Sequence, residues 1–384
     1  MPDVQGSDTG ILQTASDNED VRSDRPGSPS VGRESEGKGS PSKLAGVKWS
    51  AYAGIAMLAV VVLVFSIWVP DSFLTSGTLK TILQTQALTA VLALGLLFPL
   101  SAGVYDLSVA QNLGLSGVVC SWLLTSQGLS IPVAIVLTLG LGIIIGAFNG
   151  FLVTIVGVDS FIATLATTSL LLALQTLIAD GKYIGPVPSG FSAMTGGSVL
   201  GIPAQAVYML AIALVVWYVL EHTPVGRRIQ ATGTNPQAAR LAGLRTTRMM
   251  FWCMVVSAVV ASFAGILYAS TIGTTNQNDG PAYLLPAFAA VFLGATMIKI
   301  GMFNVWGTLL AVYLLGTGVQ GLQLVGGTVW LTQLFNGTAL ILAVSIAVIS
   351  ERRQGGQNLR KLVRWRPRSS TRAAGGANTA ATTQ

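Results

Sequence analysis

The sequence predicts an all-α protein, a polytopic integral membrane helical bundle with about ten transmembrane helices and both termini in the cytoplasm. Three observations predict it. The chain is 51% hydrophobic and only 10% charged, against about a quarter charged in soluble domains, and its mean hydropathy is +0.64. The apolar residues fall in runs of about 20, the length that spans hydrocarbon. Most of the charge is confined to the first 48 residues, a central loop at 221–248 and the last 34 residues.

In chain order, residues 1–48 are rich in Ser, Gly, Asp, Glu and Pro, and 1–37 hold eight acids against three arginines. Such a segment buries too little apolar surface to offset its ordering entropy, so it reads as a disordered cytoplasmic tail. The start is long, polar and acidic, so the first span is expected to act as the insertion signal. The membrane domain, 49–350, has spans near 50–69, 80–101, 107–126, 131–153, 160–179, 203–221, 249–272, 284–299, 303–323 and 329–350. The span at 284–299 is short and needs a tilted or thinned environment, or a neighbour to pair with. Residues 351–384 form a basic cytoplasmic tail with eight basic residues against one acid.

Charge parity supports the count. Arg33, Lys38, Lys43 and Lys48 precede the first span, and Arg227, Arg228, Arg240, Arg245 and Arg248 lie between the sixth and seventh. Arg352, Arg353, Arg360, Lys361, Arg364, Arg366 and Arg368 follow the tenth. Basic residues near span ends favour the cytoplasm, and six spans and then four place all three clusters on that side. The loop 273–283, which has no Lys or Arg, then falls outside.

The spans differ in character. Residues 51–69 contain ten Leu, Ile, Val or Phe, worth roughly −3 to −6 kcal/mol on the insertion scale, so this span can face lipid. Residues 107–126 contain eight, set against Gln111, Asn112 and several hydroxyls. At roughly −2.4 to −4.8 kcal/mol that third span is marginal alone, and it belongs inside the bundle with its polar face on protein or water. Small residues recur at spacings of four, Gly142, Gly146 and Gly150 in the fourth span and Ala258 and Ser262 beside Gly265 in the seventh. Such stripes let helix backbones approach closely; packing and gating are both open roles for them. GAFN at 146–149 and GMFN at 301–304 make a four-letter echo that would fit an inverted repeat, too short to carry weight.

The residue inventory excludes most chemistry. One histidine, two separated cysteines and no paired intramembrane carboxylates leave nothing from which to assemble acid–base, nucleophilic or zinc catalysis. No catalytic, metal or cofactor site is expected. Cys120 and Cys253 sit in apolar runs and read as small packed hydrophobes; His222 reads as an interfacial residue at a span end. There is no GxxxxGK[ST] phosphate loop, so no Walker-type ATPase site is expected in this chain. Asp106, Asp159, Asp180 and Lys299 all fall near predicted span ends, which disfavours ion coupling through a mid-membrane charge. Two readings of Asp106 stand: the cap of a re-entrant or broken helix near a path, or the cap of an ordinary cytoplasmic turn.

The central loop, EHTPVGRRIQATGTNPQAARLAGLRTTR from Glu221 to Arg248, holds five of the fifteen arginines and the histidine. Within it TNPQAARLAG predicts a short helix. Asn235 can cap it, Pro236 suits its first position, and Gly243 can end it in a left-handed turn. A capped helix held between two spans is a handle for a partner protein.

Several motifs together resemble one family. GTNPQAARLAG (Gly233–Gly243) resembles the cytoplasmic coupling segment of ABC-importer permeases of the ribose, xylose and galactoside type, relatives of the branched-chain amino-acid permeases. AGVYDLSV (102–109), GAFNGFLVT (146–154), SFIATLATTSLL (160–171) and PAFAAVFLGATMIKIGMFNVWGT (286–308) agree in order. The resemblance implies a permease subunit without an ATPase of its own, in the bacterial inner membrane, importing a monosaccharide. It implies as partners a cytoplasmic ATP-binding-cassette ATPase that hydrolyses the ATP, an extracytoplasmic sugar-binding protein, a second permease copy or paralogue, and the bilayer, but no nucleic acid. It assigns ATPase coupling to Gly233, Asn235, Pro236, Ala238, Ala239, Arg240 and Gly243. It places Asp106, Ser108, Asn149, Phe161, Thr164 and Asn304 on or near the path. The chain departs from the family pattern at Ala102–Tyr105, where two glycines and an aliphatic residue are usual before the Asp, and at Gln111. The C-terminal LRKLVRWRPR is either a solvated tail or a segment lying on anionic lipid, at about 1 kcal/mol per basic residue. The competing functions are a stand-alone carrier or channel for small polar solutes and an ABC permease for branched-chain amino acids.

Overall fold

The computed structural model describes residues 46–326 and 330–345, with side chains from residue 54 onward. Nearly all of the predicted N-terminal tail, the basic C-terminal tail, both terminal clusters of basic residues and the last residues of the tenth predicted span lie outside the described residues.

The chain runs as α1 (Gly46–Trp68), the short α2 (Pro70–Phe73), α3 (Ser76–Ser101), α4 (Val109–Thr125) and α5 (Ile131–Phe151), which continues through a π-helical turn at Leu152–Val156. Then come α6 (Ser160–Ala179), α7 (Ser189–Gly196), a two-stranded hairpin (β1 Ser198–Val199, β2 Ile202–Pro203), and α8 (Ala204–Trp217), extended by a π-helical turn at Tyr218–His222. Helices α9 (Pro224–Thr234) and α10 (Pro236–Leu241) fill the central loop. They are followed by α11 (Thr246–Ile272), α12 (Leu284–Gly294) and α13 (Val305–Leu324), and by α14 (Trp330–Ser345).

This is an all-helical, multi-pass membrane protein. Among the described residues six helices, counting the π-helical extensions of α5 and α8, are long and apolar enough to cross a membrane. The remaining predicted spans correspond to α1, to α14, which reaches the edge of the described residues at both ends, and to the shorter apolar helices α4 and α12. The shortness of α4 and α12 has a structural cause, visible when α11 is used as a ruler. Its 27 residues cover about 40 Å at 1.5 Å per residue, from the arginine-bearing end at Thr246 to the opposite end at Ile272. Helix α4 begins level with the middle of α11, since the Asn112 side chain donates to the Ala258 carbonyl (2.8 Å). Helix α12 also starts at depth and ends at Gly294, not near 299, where the sequence placed the end of its span.

The loop 273–283 fills the space above α12. The sequence placed it on the outer side of the membrane; the structure has it follow the end of α11 opposite the arginines and folds it inward until Gly280 rests on the backbone of Ala110 and Gly114 rests on that of Asp279. Both contacts are backbone on backbone and have no room for a β-carbon. Gly280 also takes φ +115°, a conformation side chains disfavour. Irregular backbone at membrane depth needs internal partners. Gln175 of α6 supplies them, its Nε2 donating to the carbonyls of Asn276 (2.9 Å) and Asp279 (3.1 Å).

Helix α11 is the central post and packs most extensively against α5, α4 and α3. Its contact with α5 follows the glycine stripe. A β-carbon at Gly146 would come within 2.5 Å of Val255 Cα, and one at Gly150 within 2.7 Å of the Phe251 ring. Gly265 meets the backbone of α4 at Leu113 and Gly117. Helices α5 and α11 approach at van der Waals distance because the glycines leave α5 without bulk along this line. Helix α4 is buried along nearly its whole length, including Gln111, Asn112, Ser116 and Ser121. Helix α1 exposes Ile55, Val60, Leu63 and Ile67, as a lipid-facing helix does.

Candidate functional site

The central loop contains two helices where the sequence reading placed one. Thr223 caps α9 by accepting from the Gly226 N–H (3.3 Å), with Pro224 in its first turn. Asn235 caps α10 in the same way, accepting from the Ala238 N–H (3.0 Å), with Pro236 in its first turn. The Thr-Pro and Asn-Pro pairs are one signal used twice, and the first of them was legible at His222–Pro224 but passed over. Gly243 ends the unit at φ +82°.

The predicted coupling residues divide by direction. Ala239 faces inward and is 5% exposed. Arg240 is exposed, yet its Nε donates to Thr246 Oγ1 (2.9 Å) and ties α10 to the start of α11. Asn235, Ala238 and Gly243 are exposed, and Pro236 is half-buried. Leu241, absent from the predicted set, is 91% exposed and projects from the outer side of α10. Gly233 points the other way, and its Cα packs directly on the carbonyl of Ser101 and the backbone of Gly103. The two-helix unit is thus seated on the segment that joins α3 to α4. A cavity of about 430 Å³ opens beside this seat, with Tyr105, Gln230, Gly233, Thr234, Phe292 and Met302 among its walls. Lys299 pairs with Glu221 (2.7 Å) at the same end of the bundle.

The joining segment 102–108 turns back at Gly103, which holds φ +81°, and climbs into the bundle. Its backbone is met by the hydroxyls of α6. The Tyr105 N–H donates to Ser160 Oγ (3.1 Å) and the Leu107 N–H to Thr164 Oγ1 (3.1 Å). At the top of the climb Asp106 is fully buried. One carboxylate oxygen accepts from the N–H (3.1 Å) and Oγ (2.6 Å) of Ser108, and the other accepts from Ser257 Oγ of α11 (3.1 Å). Ser257 is the twelfth residue of α11, so Asp106 lies near mid-depth, about 16 Å from the arginine-bearing end. The expectation that every ionisable residue sits near a span end is corrected on this point. The sequence span began at Leu107 because hydropathy does not register a chain that descends and returns.

Asp106 belongs to a polar column along α4. Asn149 Nδ2 of α5 donates to Ser108 Oγ (2.8 Å), and Thr167 Oγ1 of α6 donates to Asn149 Oδ1 (2.7 Å). One turn higher, Ser262 and Ser116 both donate to Asn112 Oδ1 (3.1 Å each). Beside Asn112 on α4, Gln111 donates to Gln175 Oε1 (2.6 Å). Every hydroxyl and amide in this column faces another polar group, as the low dielectric demands. The structure therefore brings together Asp106, Ser108, Asn149 and Thr164 of the predicted path set.

The other two members of that set lie elsewhere. Phe161 is 52% exposed on the outward face of α6. Asn304 caps α13, accepting from the Gly307 N–H (2.7 Å) while donating to the Met302 carbonyl (3.0 Å). The two asparagines of the GAFN/GMFN echo thus do different work. Ser257, Gln175, Gly280 and Leu241 were missed. Ser and Gln inside otherwise apolar runs were the available signal for the first two, and nothing local marked the last two.

A family model described as "Branched-chain amino acid transport system / permease component" matches residues 78–344, from the first turn of α3 to the end of α14. The chain belongs to this permease family. Among relatives of the permease, the ribose import permease protein RbsC of Bacillus subtilis (strain 168) is 32% identical over 299 residues, 77% of this chain and 91% of its own length. The ribose import permease protein RbsC of Escherichia coli (strain K12) is 31% identical over 299 residues, covering 76% and 91%. The autoinducer 2 import system permease protein LsrC of Salmonella typhi is 32% identical over 287 residues, covering 74% and 82%. No solved structure matches the permease.

Proposed function

We propose that this chain is the membrane subunit of an ATP-driven monosaccharide importer in a bacterial inner membrane. In this reading it hydrolyses no nucleotide itself and is moved by a cytoplasmic ATPase gripping α9 and α10. The observation that carries the reading is the seat of Gly233 on Ser101 and Gly103. A force applied to the exposed face of α10 passes through one rigid backbone contact to the segment bearing Tyr105, Asp106 and Ser108. Movement there displaces Tyr105 at the cavity wall and the foot of the polar column together. Transporters of this general kind gate by shifting rigid helix groups around discontinuous helices, and α4 and α12 are the discontinuous helices here. The ribose-named relatives supply the substrate class, and a second copy or paralogue completes the path. A binding protein at the end bearing α7, the hairpin and loop 273–283 delivers the sugar.

The mid-depth Asp106 favours one competing reading, an ion-coupled carrier that needs no nucleotide. Reconstitution separates the two. In vesicles holding the purified chain, the cognate ATPase and the binding protein, labelled ribose or another monosaccharide should accumulate only with ATP. Accumulation driven by a proton or sodium gradient without ATP overturns the importer reading.

The seat itself is tested by Gly233→Ala. A β-carbon there collides with the Ser101 carbonyl and comes within 3.0 Å of the Gly103 nitrogen, so the joint must open. ATPase binding and ATP hydrolysis by the complex should persist while uptake falls at least tenfold. Unchanged uptake removes the joint from the mechanism.

A further inference from the structure

At the end of the bundle opposite the arginines, α1, α3 and α13 part to leave a second cavity, of about 530 Å³, roofed by α2. Its walls are apolar, formed chiefly by Leu58 and Val62 of α1, Leu79 and Leu83 of α3, and Tyr313 of α13. Thr75 and Ser76 stand at its mouth. From Ser76 to Leu83 along α3 the cleft is about 10 Å deep, and it opens on helices that face hydrocarbon. An apolar cleft at this depth takes hydrocarbon in preference to water.

The rim carries a charge matched to a lipid. Lys80 is exposed and stands four residues after Ser76 and three before Leu83, so it shares their face of α3. Side chains on a helix lean toward its N-terminus, which for α3 is the membrane surface, so the ammonium reaches back to the level of the mouth. The other lysine at this end, Lys182, is already paired with Asp180 (2.9 Å); among the described residues Lys80 has no carboxylate within salt-bridge distance. It also runs against the bias of basic residues toward the cytoplasm, as a residue retained for a local ligand would. The first turn of α3, where Thr75 Oγ1 accepts only from the Thr78 N–H, adds a partial positive charge at the same place.

We propose that this cleft is a binding site for one anionic phospholipid of the extracytoplasmic leaflet. An acyl chain lies between α1, α3 and α13, and the phosphate rests against Lys80 at the start of α3. The site is independent of the transport reading, because its readout is a bound lipid.

Native mass spectrometry of the purified full chain, titrated with phosphatidylglycerol or with phosphatidylcholine of the same acyl length, tests it. The wild type should hold one phosphatidylglycerol per chain at least tenfold more tightly than phosphatidylcholine. Lys80→Gln, an exposed change that leaves the fold intact, should reduce that preference to threefold or less. Leu83→Trp, which fills the cleft and keeps the charge, should abolish the retained lipid of either kind. Equal retention of the two lipids by the wild type, or retention that neither variant changes, overturns the proposal. A cleft filled by detergent or by a second copy of the chain gives the latter result.

Discussion

Leu241→Glu is expected to lower ATP-driven uptake at least tenfold while the protein inserts and melts as the wild type does. Leu241 is 91% exposed on the outer side of α10, so the unpartnered chain loses no packing. Burying a leucine in a partner's groove is worth about 2 kcal/mol, and a carboxylate desolvated there without a counter-charge adds a further penalty. Each 1.4 kcal/mol is a factor of about ten in affinity, so the two effects together exceed that factor. Co-purification with the ATPase should weaken in parallel. Wild-type uptake and wild-type co-purification together would show that α10 is not the gripped element. Ala239 is the less informative choice, although it stands within the sequence motif. At 5% exposure it packs inward, and a large residue there disturbs the seat of α10 before any partner is met.

Asp106→Leu should cost more than any other single change in the polar column. The aspartate accepts from the N–H and Oγ of Ser108 and from Ser257 Oγ. Leucine leaves all three donors buried without acceptors, at about 1–3 kcal/mol each. The expected result is a chain that is recovered poorly from the membrane and melts far below the wild type in detergent. Asp106→Asn retains an oxygen for Ser108 and offers its amide N–H to Ser257 Oγ, so its loss of stability should be a small fraction of the leucine variant's. Stability of Asp106→Leu equal to the wild type would refute a structural role for the carboxylate. If Asp106→Asn folds normally but loses all uptake, the carboxylate's charge serves transport directly, and the carrier reading gains ground.

Parts of this architecture were legible because they depend on neighbours in sequence. The Asn235–Pro236 start and the Gly243 stop of α10 are set by local hydrogen bonding and by one positive φ, and both appear as read. The glycines at 142, 146 and 150 announced a close helix contact, and α11 supplies it. The marginal hydropathy of residues 107–126 marked α4 as an interior helix. The family resemblance rested on such local strings, and the family match covers the same region. Other features were hidden because they depend on partners distant in sequence. Asp106 looked like a residue at a span end because the chain around it is short. Only its bond to Ser257, 151 residues away, sets its depth. Span parity gave the side on which loop 273–283 emerges but not its inward fold, where Gln175, about a hundred residues earlier, satisfies its backbone.

The sequence by itself determined that the chain is a helical membrane protein, which family it belongs to and where the capped helix of its central loop lies. Hydropathy, charge bias and helix caps are short-range properties that survive without a fold. The tertiary structure decided which way each residue of the handle faces, how far Asp106 and loop 273–283 enter the bundle, and where Gly233 meets Gly103. Those facts rest on contacts between distant segments, which exist only once the helices have packed against one another.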